Sequence, residues 1–537
     1  MADGVLTPAQ SVLGAIQGIK VANPNLGTSA IVGISCGILV ALFLIQPFGT
    51  SKIGTMFAPV VAIWLLFNLC AGIYNLAVHD YTVLKAFSPH FAFSYLVRNG
   101  HEGWKSLGGL LLAFTGVEAL FADLGAFSKR AVQLSWICLA YPCLLIAYIG
   151  QAAASRNSVF YNSDRETRSH GKSQAMITSP FQLLTQIMRL SYFPHIKVIH
   201  TSQTFHEQVY MPMANWLLMI GTVIITAVYN NTTSLGNAYG VCVITVTFIT
   251  TCMVSLVAIL VWRLPAYIVV PLWLVFASLD AAFLSSVYEK VPDGAWFTLL
   301  LAFILSCLFT LWRFGKECQW EAESQDQLSP QALLFPTTAT KGPVALTSTF
   351  GGTPISTVPG LGIFFDKSGI TNTLPPSFFQ FVIKFAARPA VVVLFNMRPL
   401  PVPTVPLTDR YIIRRVSEID SCYAITLRHG YTDNILYPGL AQDVVQQIAI
   451  SIARGRRNDM TAAELDMMQS SRNSPTVYIL GKETIKIGWP SVLSPKAYLR
   501  SWLLWTFLWL RENSRTKLAD LDIDADKVVE VGFIKEL

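Results

Sequence analysis

The sequence predicts an all-α, polytopic membrane domain followed by a smaller α/β or α+β domain outside the bilayer. Three observations lead there. Of 537 residues, 53% are hydrophobic and 13% are charged, against roughly 25% charged in a soluble domain. Mean hydropathy is +0.48, more apolar surface than one soluble core absorbs. Long apolar runs recur along the first part of the chain, and from Gly315 onward the composition turns to charges and prolines. The predicted domains are therefore residues 1–314 and 315–537.

The apolar runs fall at about 29–46, 55–76, 107–127, 132–153, 211–229, 235–262, 266–288 and 295–314. Each is near the roughly 20 residues a helix needs to cross the hydrocarbon. Residues 4–20, "GVLTPAQSVLGAIQGIK", are shorter and more polar, as expected of a helix that lines an interior. In the tail, "PAVVVLFNMRPLPVP" and "TVYILGKETIKI" are β-branched and bounded by Pro or Gly, which predicts strands. The run "LRSWLLWTFLWLREN" (499–513) has an uninterrupted apolar core too short for a span, so it is expected to be a buried or surface-docked helix.

Basic loops set the orientation. With the tail in the cytoplasm, Arg263 falls inside, the "NNTT" turn (230–233) outside, and Arg189 and Lys197 inside. By the same rule Lys52, Lys129 and Arg130 lie inside, so the run 132–153 ends outside. Between residues 153 and 189 one more crossing is required. Yet 154–172 is polar and 173–190 is amphipathic and carries Pro180. Either one of the two orientations is wrong or a crossing has been lost, 154–190 being then a disrupted span followed by a cytoplasmic connector.

Two carboxylates stand out in "GGLLLAFTGVEALFADLG" (108–125): Glu118 and Asp123. An acidic side chain at mid-bilayer costs roughly 2.5–3.5 kcal/mol on insertion scales. Five residues apart, the two are about 140° apart round a regular helix and share no face. The glycines of the run allow an interruption, and a broken helix exposes carbonyls that bind ions in transporters. Thr115 and Glu118 would then be hard oxygen ligands beside the break. Alternatively, Glu118 is a protonated carboxyl bonded to another helix, Asp123 an interfacial partner of Lys129 and Arg130, and Thr115 back-bonded to its own helix. A second candidate is "ADGVLTPAQ", where Asp3 and Thr7 share a helical face and Pro8 frees a backbone carbonyl. An N-cap aspartate explains Asp3 equally well. "GNAYG" (236–240) suits close helix packing.

Signals of other functions are poor. "GKS" at 171–173 lacks the earlier glycine of a phosphate loop, Glu166 standing in its place. His195, His200 and His206 near Glu207 lack the i, i+4 pairing of a zinc helix, and no GxSxG occurs. Nine cysteines show no CxxC spacing. The net charge of +7 sits in loops without a basic stripe, which argues against nucleic acid. Neither an enzyme nor a protein with a cofactor is expected.

Several stretches together resemble one family. "GVLTPAQSVLGAIQGI", "TGVEALFADLGAFSKRAVQLSW", "SQAMIT…MRLSYFPHIKVIHTS", "QVYMPMANWLLM", "LGNAYG", "FNMRPLPVP" and "LRENSRTKLADLDIDADKVVEVGF" are similar, in family order, to the KUP/HAK/KT potassium transporters, with wording closest to fungal HAK members. The resemblance implies a LeuT-like core of the APC superfamily, inverted repeats and a cytoplasmic C-terminal domain. It implies K⁺ uptake, commonly coupled to H⁺, by a plasma-membrane protein that is often a homodimer. By motif, Asp3 and Thr7 fall in the family's third span, and Thr115, Glu118 and Asp123 in its sixth. The implied K⁺ path uses Asp3, Thr7, Thr115 and Glu118, with Glu118 and then Asp123 as proton-coupling candidates. The family's opening "GDxGTSPLY" span is not in this sequence, nor is the second, and most of the eighth is replaced by "SDRETRSHGK". The expectation is an incomplete core of about nine spans, with reduced or no transport by these residues alone. An APC-type permease for amino acids or another organic solute, or a membrane-bound regulator acting through its tail, are the alternative readings.

Overall fold

The computed structural model describes the chain except residues 20–24, 26, 49, 80, 115–127, 158–169, 203–207, 326–327, 336–344, 367–368, 370–372, 401, 417–418, 431–432, 434–438, 455–474, 488–494, 515–524 and 537. It divides into two units, Met1–Phe309 and Thr310–Leu537.

The first unit is built of helices: α1 Ala2–Ile19, α2 Thr28–Ile45, α3 Thr50–Val78, α4 Pro89–Phe114, α5 Lys129–Ser135, α6 Tyr141–Asn157, α7 His170–Arg189, α8 Pro212–Tyr229, α9 Thr232–Leu260, α10 Ala266–Tyr288 and α11 Trp296–Gln325, which continues into the second unit. A π-helical turn, Trp136–Ala140, joins α5 to α6. Seven candidate spans among the described residues are long and apolar enough to cross a membrane: α2, α3, α5 through α6, α8, α9, α10 and α11. Their outer surfaces are apolar: Phe67, Ile137, Leu260 and Tyr267 are all exposed, as suits faces solvated by lipid rather than water. The bundle is that of a multi-pass integral membrane protein.

Local sequence explains the helix ends. Asn230 takes the left-handed backbone (φ 40°) that closes α8, a conformation Asn tolerates better than most residues. Asn231 then caps α9, its side chain accepting from the Thr233 N–H at 2.8 Å. The "NNTT" stretch is thus the polar turn its residues predict. Helix α4 bends at Gly100, where φ is 53° and ψ −121°. Its last turns dock on α10: Trp104 Nε1 donates to Ser285 Oγ at 3.0 Å, Gly108 N to Ser286 Oγ at 3.2 Å, and Lys105 pairs with Glu289 at 3.2 Å.

Helices α3 and α6 cross at two glycines. A Cβ on Gly72 would lie 2.5 Å from the Ile146 carbonyl oxygen, and one on Gly150 would lie 2.4 Å from Gly72 Cα. Small residues let helix backbones approach this closely in a bilayer, where dispersion replaces the hydrophobic effect as the driving force.

The core of the unit forms around α1. Leu6, Ala9, Val12 and Leu13 are fully buried, with Leu39 and Phe43 of α2, Phe181 of α7, Ala214 of α8 and Leu235 of α9 in the same cluster. The short helix therefore lines an interior, as its mixed composition predicts. Helix α7 packs against α1 as well. It is one continuous helix of 20 residues and is not among the seven candidate spans.

The second unit holds a six-stranded sheet: β1 Ser356–Asp366, β2 Ala387–Pro399, β3 Tyr411–Arg415, β4 Cys422–His429, β5 Thr476–Lys486 and β6 Val528–Glu536. The strand order is β6-β5-β1-β2-β4-β3, parallel except for the antiparallel edge strand β3. Helices α12 Pro376–Phe385, α13 Leu440–Arg454 and α14 Pro495–Ser514 follow β1, β4 and β5. In β2, Val392 and Leu394 face the cluster of α12, while Val391, Val393 and Phe395 face that of α13. Both faces are covered, which is why the strand reads as an unbroken apolar run rather than an alternating one.

Candidate functional site

Helix α1 carries polar side chains where its surroundings are apolar. Asp3 lies in its first turn, where the positive end of the helix dipole favours a carboxylate. Thr7, one turn on and buried, donates its Oγ1 hydrogen to Asp3 Oδ1. Asp3 is thus inside the helix rather than its N-cap. Pro8 sits mid-helix and lacks the N–H that would bond the Gly4 carbonyl. A carboxylate, a hydroxyl and a freed carbonyl therefore fall within two turns. Gln10 and Ser11 are buried too, 5% and 2% exposed. At about 100° per residue, Asp3, Thr7, Gln10 and Ser11 form one stripe about a quarter-turn wide. Gln17 extends it, accepting from Thr232 Oγ1 at 3.1 Å.

The helices packed on α1 add further oxygens. Asn215 on α8 is 3% exposed. Its Nδ2 donates to the Phe43 carbonyl at 3.1 Å, while its Oδ1 has no donor among the described residues. Gln182 on α7, 4% exposed, likewise has an unmatched Oε1. Leaving a buried acceptor unmatched costs about 1–3 kcal/mol. Thr222 and Thr226 of α8 bond back to Leu218 and Thr222 carbonyls at 2.7 Å each, which satisfies their hydrogens and leaves their oxygens as acceptors. All these groups present hard oxygens, the donor class that replaces the hydration shell of an alkali cation.

The second cluster named from the sequence, Thr115, Glu118 and Asp123, lies outside the described residues, as do His206 and Glu207. Asp3 and Thr7 are the site residues that the structure brings together. Sequence reasoning missed Gln182 and Asn215, because a lone amide in an amphipathic or apolar helix looks like an ordinary polar contact. It also missed Asp280, a carboxylate within the apolar α10 that accepts from Thr251 Oγ1 of α9 at 2.7 Å. An acid inside a span is a detectable signal.

Two cavities complete the picture. An open polar cleft of about 560 Å³ is lined by Tyr229, Thr233, Ser234, Asn237, Asp293 and Trp296 among others, at the start of α9. Tyr229 Oη donates to the Gly294 carbonyl at 2.7 Å across it. "GNAYG" contributes Asn237 to this cleft, while Gly236, Ala238, Tyr239 and Gly240 are buried in packing. In the second unit a cavity of about 500 Å³ is lined by Asp366, Asn396, Arg414, Arg415 and Thr426 together with apolar neighbours.

Comparison with known proteins gives two family matches. A profile described as "K+ potassium transporter integral membrane domain" matches residues 1–163 and 172–317, and one described as "K+ potassium transporter C-terminal domain" matches 359–537. The gap between the first two stretches falls where the sequence turns polar. Similar proteins include "Potassium transporter 19" of Oryza sativa subsp. japonica, 32% identical over the whole of this chain and 75% of its own length. "Potassium transporter 5" of Arabidopsis thaliana is 36% identical over 81% of this chain. "Potassium transporter 1" of Oryza sativa subsp. japonica is 36% identical over 82% of it. The chain spans 55% and 56% of the length of these last two relatives.

Proposed function

The chain belongs to the K+ potassium transporter family, and from that premise we propose that it carries K⁺ across a membrane. The single observation that supports the cargo is the family match over the unit that holds the α1 stripe. The stripe supplies suitable chemistry. K⁺ entering a low-dielectric interior must exchange its water shell for fixed oxygens. Asp3 adds a negative charge, Thr7 a hydroxyl and Gly4 a carbonyl released by Pro8. Thr115 and Glu118 are proposed to join them from the other motif.

Coupling to H⁺ is part of the same reading. A carboxylate removed from water has its charged form disfavoured and so holds a proton more readily. Glu118, in the first instance, or Asp123 would take up the coupling proton while K⁺ sits on the neighbouring oxygens. We place the protein in the plasma membrane, with the second unit in the cytoplasm and two copies forming a homodimer.

Rubidium uptake by potassium-uptake-deficient cells tests the cargo. Uptake competed by K⁺ and not by amino acids supports the reading. Competition by amino acids would put an organic-solute permease in its place. No uptake, with a small ligand bound by the second unit, would make the chain a regulator.

A further inference from the structure

Helix α14 of the second unit leaves a row of aromatic side chains uncovered. Tyr498, Trp502, Trp505 and Trp509 are 48%, 61%, 61% and 56% exposed. Spacings of four, three and four residues hold all of them within an arc of about 60°. The opposite face is occupied. Leu504 and Phe507 are buried, and Arg511 lies 3.8 Å from the buried carboxylate of Glu483.

Phe507 locates this helix along the chain. Its ring centre is 5.0 Å from that of Trp312, and a Cβ on Gly315 would come within 2.2 Å of Phe507 Cγ. Trp312 and Gly315 belong to the C-terminal half of α11, the last candidate span. The apolar run of α11 extends from Trp296 to Trp312, and Arg313 and Lys316 follow it. That run makes about 26 Å of helix, close to the roughly 30 Å of the hydrocarbon core. The first charges past Trp312 therefore mark headgroup level, and α14 is anchored within one turn of them.

We propose that the aromatic face of α14 docks on the headgroup region of the bilayer that α11 crosses. Indole and phenol rings are enriched at that level because they join an apolar body to a polar edge. Lys496 and Arg500, exposed at the start of the helix, lie on the side away from the aromatic row. An amphipathic helix with a strong aromatic face lies in the interface plane in this way. Docking would fix the second unit against the membrane at a second point besides α11.

The test uses the full chain in lipid nanodiscs of phosphatidylcholine and phosphatidylglycerol, with and without bromine on the acyl chains near the headgroup. Tryptophan emission is recorded for the native protein and for W502F/W505F/W509F, and the difference spectrum isolates the three indoles. Bromine quenches on contact, so docked indoles should lose more than about half of their difference emission in brominated discs. An unquenched difference spectrum overturns the proposal. So does a native dimer that the triple variant converts to monomer while the difference emission ignores bromine, since a second copy then covers the face. Leu504 and Phe507 are untouched in the variant, and an unchanged melting midpoint shows that its fold is intact. If the triple variant misfolds, the single variant W505F read in the same way decides.

Discussion

Gly150→Ala should loosen the crossing of α3 and α6, and the structure sets the scale. The new Cβ would sit 2.4 Å from both Cα and O of Gly72. The contacts are backbone, so no side chain can swing away, and ordinary contact at roughly 3.5–4.0 Å requires the helices to part by about 1 Å. A gap of that size forfeits a quarter to a half of each dispersion well along the crossing. Overpacking of this kind costs about 1–3 kcal/mol. Gly37→Ala in α2 is the internal control, because nothing lies within 4 Å of a Cβ there. The same change of atoms at that position gains helix propensity, up to about 1 kcal/mol. The two variants should therefore shift stability in opposite directions. Unfolding of the purified protein in mild detergent, followed by far-UV circular dichroism against added SDS, measures both. If Gly150→Ala proves as stable as Gly37→Ala, the close α3–α6 crossing is wrong.

Three further predictions follow from individual side chains. Asp3→Asn and Thr7→Val should each lower whatever rubidium uptake the chain supports about 10- to 100-fold, the equivalent of about 1.5–3 kcal/mol for a charge-assisted contact. Thr7→Ser, which keeps the hydroxyl, should retain most of it, and equal loss in Ser and Val variants would refute the ligand role. Thr251→Val and Asp280→Asn should be non-additive in stability, with a coupling of about 0.6–1.7 kcal/mol as for bonds between membrane helices. A double variant equal to the sum of the singles would refute the pairing. In the second unit, Asp433 accepts from the N–H groups of Gly430 and Val405 at 2.8 and 3.0 Å and from Arg410 at 2.8 Å. Burial alone would push its carboxyl up, but these donors and His429 outweigh it and hold the carboxyl below its usual range. Its contribution is then fully present above the unfolded pKa of about 3.9 and is lost as pH falls through the lower folded value. Asp433→Asn should cost about 1.5–3 kcal/mol at neutral pH and remove that acid sensitivity, as thermal melting of the full chain from neutral pH to below pH 4 would show.

Much of the architecture was legible in the sequence because the bilayer acts on local composition. A run such as 266–288 must be a helix, whatever its neighbours, since no other single segment satisfies its own backbone in hydrocarbon. Strand β2 was legible in "PAVVVLFNMRPLPVP" because its valines are bounded by prolines. The polar sprinkling of residues 4–20 announced a helix facing inward, and the spacing of Asp3 and Thr7 put them on one face of it. These features depend on separations of a few residues along the chain.

What the tertiary structure decided depends on partners far apart in sequence. Nothing near Gly72 says that it meets Gly150, since either glycine alone is only a weak point in a helix. Gln182 and Asn215 are buried only because the helices around α1 enclose them. Asp280 gains its meaning from Thr251 on the neighbouring helix. The tryptophans of α14 were visible from the start as an apolar run too short to span a membrane. Only the packing of Phe507 against Trp312 and Gly315 shows which face of that helix stays outside. Backbone satisfaction and hydropathy are properties of a segment, whereas contact, enclosure and exposure are properties of surfaces brought together, and these exist only once the chain has folded.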